Sequence, residues 1–190
     1  MNGPKPRKRR LFVGVALSER SRAACENVSE ELLKTGFAAK YEAPEKLHLT
    51  LAFLGFVEQT NVTAIVSALA AGAALAKTCS VILDKLGAFP HERAPRVVYV
   101  GAREQGAPFR AVARSVRTAY EALGFEFVQD AVAHVTIARV RESRRPLPLV
   151  EFAPIALGIR TLTLFESLPD PAKKTSRYEI VESAQLASEV

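Results

Sequence analysis

Polar and apolar residues alternate in the same way at two places along this chain. His48-Leu49-Thr50-Leu51-Ala52-Phe53 returns as His134-Val135-Thr136-Ile137-Ala138-Arg139. His, Thr and Ala recur unchanged, and two further positions stay apolar. The sixth changes from Phe53 to Arg139. Each copy begins with the period of a half-buried strand. Residues two apart on a strand share a face. His48 and Thr50 are therefore expected on one face, as are His134 and Thr136. Leu49, Leu51, Val135 and Ile137 turn the other way, into a core.

Helix and strand signals interleave around these two copies. Residues 11–17 are a short, mostly apolar run, expected as a strand covered on both faces. Ser18 is a candidate N-cap for a helix to about Lys34, with Ala24, Val28, Leu32 and Leu33 near helical spacing and Gly36 ending it. Residues 40–45 form a connector around Pro44, and the first copy lies in a strand over 47–56. The pattern then predicts a helix over 61–77, strands over 80–89 and 96–101, and a third helix over 107–123 closed by Gly124. A short extended piece over 125–128 precedes the second copy, in a strand over 134–140. A basic loop over 141–148 and strands over 155–165 and 177–183 follow, the strands separated by a polar loop over 169–176; the last residues are expected to fray. Two strands often follow one helix, which favours an α+β fold of antiparallel sheets with helices on one side. The order helix, extended piece, His strand recurs. This predicts an internal duplication, a single bilobal domain over 11–185 with its two His-x-Thr strands facing each other across one groove.

Composition narrows the partners. The chain has 190 residues, nearly half of them hydrophobic, which suits one domain with a sizeable core. Trp is absent, so that core rests on Leu, Val, Ile and Ala. A net charge of +6 points to anionic partners such as nucleic acid or phosphorylated small molecules. Lys5, Arg7, Lys8, Arg9 and Arg10, interrupted by Pro4 and Pro6, mark residues 1–10 as a basic disordered tail. Cys25 and Cys79 form no CxxC and no disulfide framework, which fits a reducing cytoplasm. No secretory signal is found, and no run approaches the roughly 20 apolar residues of a membrane span.

Two of the three histidines sit in the repeat. Imidazole titrates near neutral pH, so one neutral His can take a proton from water while a protonated one gives a proton to a leaving alkoxide. A Thr hydroxyl on the same face can donate to a phosphoryl oxygen. Metal chemistry is disfavoured: there is no His-Glu-x-x-His, and the nearest acids are Glu45 and Asp130. Gly-x-Ser-x-Gly, a P-loop and Gly-x-Gly-x-x-Gly are all missing, so no nucleophilic Ser, ATP or NAD is implied and no cofactor is expected. His91 follows Pro90 in a loop and is expected to be exposed.

The two repeats resemble the paired His-x-Thr-x motifs of the two-histidine phosphoesterases, in the branch of the RNA 2′,3′-cyclic phosphodiesterases, historically called 2′-5′ RNA ligases. The supporting stretches are Arg10 to Val13, His48 to Gly55, Arg96 to Gly101, His134 to Arg139, and Ser167-Leu168 with Arg177-Tyr178. Where that family often has Pro before the second His, this chain has Ala133. The resemblance implies a bilobal fold with two antiparallel sheets about a central groove, helices outside, and pseudo-twofold symmetry. It implies hydrolysis of a 2′,3′-cyclic phosphate on RNA to a 2′-phosphate without metal, with reversible ATP-independent ligation as the reverse reaction. His48 would protonate the leaving 3′ oxygen and His134 would activate water. Thr50 and Thr136 would hold phosphoryl oxygens, Arg139 would add fixed charge, and Phe53 would stack a base. Strict alternation points Phe53 and Arg139 away from their histidines, so these two roles require a bulge or a strand end. Tyr178 and Lys173 are further groove candidates. Action on a small cyclic phosphate or 2′-5′ oligoadenylate, or binding of RNA ends without turnover, are the alternative functions. A cytoplasmic monomer with no membrane partner is expected.

Overall fold

The computed structural model describes residues 7–142, 145–172 and 175–188. Among these residues β1 (Lys8–Ala16) leads into α1 (Glu19–Lys34), the two-residue β2 (Lys40–Tyr41) and β3 (His48–Glu58). Then come α2 (Val62–Ala74), β4 (Cys79–Leu83) and β5 (Lys85–Phe89). β6 (Val97–Gly101), α3 (Gly106–Glu121) and β7 (His134–Arg139) precede β8 (Ile155–Ile159), β9 (Thr161–Asp170) and β10 (Thr175–Gln185). The fold is α+β. The large sheet has the order β10-β9-β1-β3-β7-β6-β5 with β2 beside β7, and β4 pairs with β8 in a small sheet. Its paired strands are antiparallel.

The units β1-α1-β3 and β6-α3-β7 share order and sense, which is the duplication read from the repeats. The two expected sheets meet at their inner strands through one pair, Leu49 opposite Val135, and so form one continuous sheet. α1 lies against β7 and β8, and α3 against β3 and β4, so each helix covers the other half's histidine strand. Leu49, Leu51, Val135 and Ile137 are buried beneath, with Cys25, Val28 and Leu32 of α1 and Phe109, Val112 and Val116 of α3. α1 starts where expected: the Ser18 hydroxyl accepts from the Ser21 N–H at 3.2 Å. It ends at Gly36, whose φ of +69° suits a residue without Cβ. Leu33, expected inside, is exposed, because the buried stripe is centred on Ser21, Cys25, Val28 and Leu32.

Other expectations need correction. The basic tail ends earlier than residue 10: Lys8 pairs with Glu58 at 3.2 Å and Arg9 with the buried Glu166 at 2.6 Å, which extends β1 back to Lys8. Residues 1–6 lie outside the described residues. The predicted strand over 80–89 breaks at Asp84, whose carboxylate accepts from the Arg103 N–H, so β4 and β5 enter different sheets. The predicted strand over 155–165 breaks at Arg160 in the same way. Residues 125–128 form no strand: the Phe127 carbonyl accepts from Arg117 at 2.6 Å instead of from a neighbouring strand. The C-terminus is tied as far as Ala187, whose N–H donates to Ala76 O and whose carbonyl accepts from Thr78.

Candidate functional site

β3 and β7 bring their first residues to one groove of about 510 Å³, lined by His48, Thr50, His134 and Thr136 among others. The alternation explains those four. Phe53 and Arg139 line the same groove, and a bulge in each strand explains them. Val13 pairs with Ala52 and Gly14 with Thr50, which leaves Leu51 as an extra residue. Val98 pairs with Ala138 and Tyr99 with Thr136, which leaves Ile137 extra. Two successive residues are then buried, Leu51-Ala52 and Ile137-Ala138, and the phase of the strand flips. Phe53 ends 66% exposed on the histidine side. The structure thus gathers all six predicted residues.

Each imidazole is held in the same way. His48 Nδ1 lies 2.6 Å from the Lys46 carbonyl, and His134 Nδ1 lies 2.8 Å from the Val132 carbonyl. A carbonyl only accepts, so Nδ1 carries a proton in both rings and donates it. Neutral His48 and neutral His134 therefore keep the Nε2 lone pair available. This is the tautomer a general base requires, and adding a proton at Nε2 makes either ring an acid.

Aromatic rings fix the other sides. Phe12 and Tyr178 lie 4.8 and 5.1 Å from His48 between ring centroids. Tyr99 and Phe89 lie 5.4 and 5.3 Å from His134. Both imidazoles are pushed below their ordinary pKa, chiefly because burial among these rings disfavours the charged form. His48 is lowered further by the nearby charge of His134, against the opposing pull of its hydrogen bond to Lys46. The halves differ in how they seat the rings. Gly14 stands opposite Thr50, where Tyr99 stands opposite Thr136. Tyr99 in turn lies over two glycines: a Cβ at Gly87 or Gly101 would sit 2.6 or 2.8 Å from its ring.

Sequence reasoning missed Glu42 and Lys46, which also line the groove. Glu42 accepts from Lys46 Nζ at 2.6 Å and from Arg139 Nε at 2.8 Å. Burial works to raise its carboxyl pKa, but Lys46 and then Arg139 outweigh that and hold it below the usual range. Arg139 is thereby oriented by a carboxylate from the other half. The signal was a Glu two residues after Lys40 in a short connector, which has no periodicity to mark it. Tyr178 is a groove residue as expected, Lys173 lies outside the described residues, and His91 is exposed, accepting from the Ala94 N–H at 3.1 Å. Among the described residues no cluster of three His, Cys, Asp or Glu side chains is placed to hold a metal ion, and no helix is long and apolar enough to cross a membrane.

The family described as LigT like Phosphoesterase matches residues 15–99, a range that includes the first repeat and stops before the second. The RNA 2′,3′-cyclic phosphodiesterase of Archaeoglobus fulgidus is 34% identical over 132 residues, covering 70% of this chain and 73% of that protein. That of Thermotoga maritima is 26% identical over 166 residues, covering 85% and 88%. Among solved structures, TT0787 of Thermus thermophilus is similar with a TM-score of 0.77 at 26% identity, over 95% of this chain and 100% of that one. E. coli LigT complexed with 3′-AMP gives 0.75 at 23% identity, over 94% and 98%, a likeness of fold alone.

Proposed function

The chain belongs to the LigT-like phosphoesterase family, and on that footing we propose that it is an RNA 2′,3′-cyclic phosphodiesterase that opens the ring to a 2′-phosphate by histidine acid-base chemistry. The observation that carries this reading is the matched pair of imidazoles, each with Nδ1 given to a carbonyl two residues back, lining one groove with two threonines. Such a pair suits a reaction that needs one proton taken and one given.

In the proposed reaction His134 Nε2 takes a proton from water as its oxygen attacks phosphorus. The bond from phosphorus to O3′ breaks, and protonated His48 gives its proton to O3′. A 2′-phosphomonoester and a 3′-hydroxyl result. Thr50 and Thr136 donate to the nonbridging oxygens as charge grows there. Arg139, set by Glu42, adds a positive charge beside the phosphate. Both halves of the site come from one chain, so the proposed enzyme works as a monomer.

The test is hydrolysis of an oligoribonucleotide ending in a 2′,3′-cyclic phosphate, with the product assigned as 2′- or 3′-phosphate. Turnover to the 2′-phosphate at the same rate with and without EDTA is expected. Loss of rate on chelation that added metal restores would overturn the metal-free mechanism. Phe53, tilted at 45° to Phe12 with ring centroids 5.9 Å apart and open to solvent, is placed to receive the terminal base. Stacking on an aromatic is worth about 1–3 kcal/mol per base. Phe53→Ala should therefore raise KM about tenfold and leave kcat nearly unchanged; an unaltered KM would assign the ring to packing alone.

A further inference from the structure

A second concavity, of about 490 Å³, opens where β2 and β7 end, and it shares Lys40 and Arg139 with the histidine groove. Lys40 and Arg139 thus border both concavities. Beyond the shared Lys40 and Arg139, the latter held by Glu42, the concavity is lined by two further cations, Arg141 and Arg145, and by the carboxylate of Glu142. Its lining also includes the apolar Phe37, Ala39 and Val140. Arg145 is held in place: it donates to the Thr35 carbonyl at 3.1 Å, and its guanidinium lies 5.6 Å over the Phe37 ring. The turn at Gly36, with φ of +69°, carries the chain from the end of α1 to that ring. Phe37 is almost fully buried while Arg145 is exposed, so the ring supports the guanidinium from below. A planar cation on an aromatic support is a surface on which a nucleobase stacks.

A mononucleoside cyclic phosphate needs nothing beyond the histidine groove. An RNA chain has to leave that groove with a further phosphodiester, and a basic trough with an apolar floor complements it. We propose that this trough holds the nucleotide on the 5′ side of the cyclic end, with Arg141 facing its phosphate and Arg145 stacking its base. The inference rests on the phosphodiesterase reading above and deepens it: it assigns a subsite to the nucleotide that precedes the cyclic end.

The test compares a mononucleoside 2′,3′-cyclic phosphate with a tetraribonucleotide carrying the same end, using wild type, the double variant Arg141→Ala/Arg145→Ala, and Arg145→Lys. Wild type should show kcat/KM about tenfold higher on the tetranucleotide, the worth of one stacked base. The double variant should lose that advantage, keep its mononucleotide rate, and show a salt dependence shallower by about 0.7 in log-log slope for the lost phosphate contact. Arg145→Lys should keep the salt slope and lose most of the advantage. An advantage that survives the double variant, or equal losses on both substrates, would overturn the trough. Equal wild-type rates on the two substrates would overturn it while leaving the phosphodiesterase reading intact. No wild-type turnover of either substrate would overturn that reading, and the trough with it.

Discussion

His134→Ala and His48→Ala are each expected to lower kcat/KM on a cyclic-phosphate end by about 10²- to 10⁴-fold, the usual worth of a positioned general acid or base. The pH profile of the wild-type protein should carry the same signature. The productive free form holds one proton across the pair, and both imidazoles lie below their ordinary pKa through burial. The maximum of kcat/KM should therefore fall on the acidic side of about 6.5. The alkaline limb should drop as the proton on His48 is lost. An anionic phosphate in the groove favours imidazolium, so the kcat profile should lie to the alkaline side of the kcat/KM profile. Stability follows from the same shifts. A His that titrates lower in the folded chain than in the unfolded one leaves the unfolded chain binding more protons below about 6.5, so stability is full above that pH and falls as pH drops. Alanine at either position should lessen this acid sensitivity. Retention of activity within a few-fold in either variant would remove the acid-base assignment.

The placement of the histidines and threonines was legible because alternation is a physical constraint. A strand with Leu49, Leu51, Val135 and Ile137 in the core has nowhere to put His48, Thr50, His134 and Thr136 except the other face. The bulges were also written in the repeats. Leu51-Ala52 and Ile137-Ala138 each place two apolar residues in succession, which breaks the alternation one step before Phe53 and Arg139. The α1 boundaries were legible because Ser18 and Gly36 act locally. What escaped depends on distant partners. Glu42 becomes a site residue only when β2 pairs with β7 and brings it beside Arg139. The breaks at Asp84 and Arg160 arise because β4 and β8 leave for each other, a pairing no local pattern marks. The join at Leu49 and Val135, the one ladder pair between β3 and β7, is likewise long-range.

That join gives the second large effect. Gly14 on β1 has ordinary extended backbone, so its small size is required by space and not by φ. A Cβ there would stand 2.5 Å from the Leu49 carbonyl oxygen and 3.5 Å from the Phe165 ring. The first is backbone in the middle of the sheet, with no rotamer to escape into. Leu49 is also the residue that pairs with Val135 across the two halves, one place from both His48 and Thr50. Gly14→Ala is expected to cost about 3 kcal/mol, the upper part of the overpacking range, and to lower Tm by about 6–12 °C for a chain of this size. Activity should fall with it, because the displaced peptide carries Thr50 and the His48 ring away from the opposite half. Gly158→Ala is the matched control: a Cβ at that strand position meets nothing within 4 Å. It should be neutral or stabilise the protein by about 0.4–1 kcal/mol through the unfolded chain. Urea unfolding of the two variants decides the matter. A Gly14→Ala protein as stable as Gly158→Ala would mean that the Leu49 peptide yields freely, and that the junction of the two halves does not hold the histidines in place.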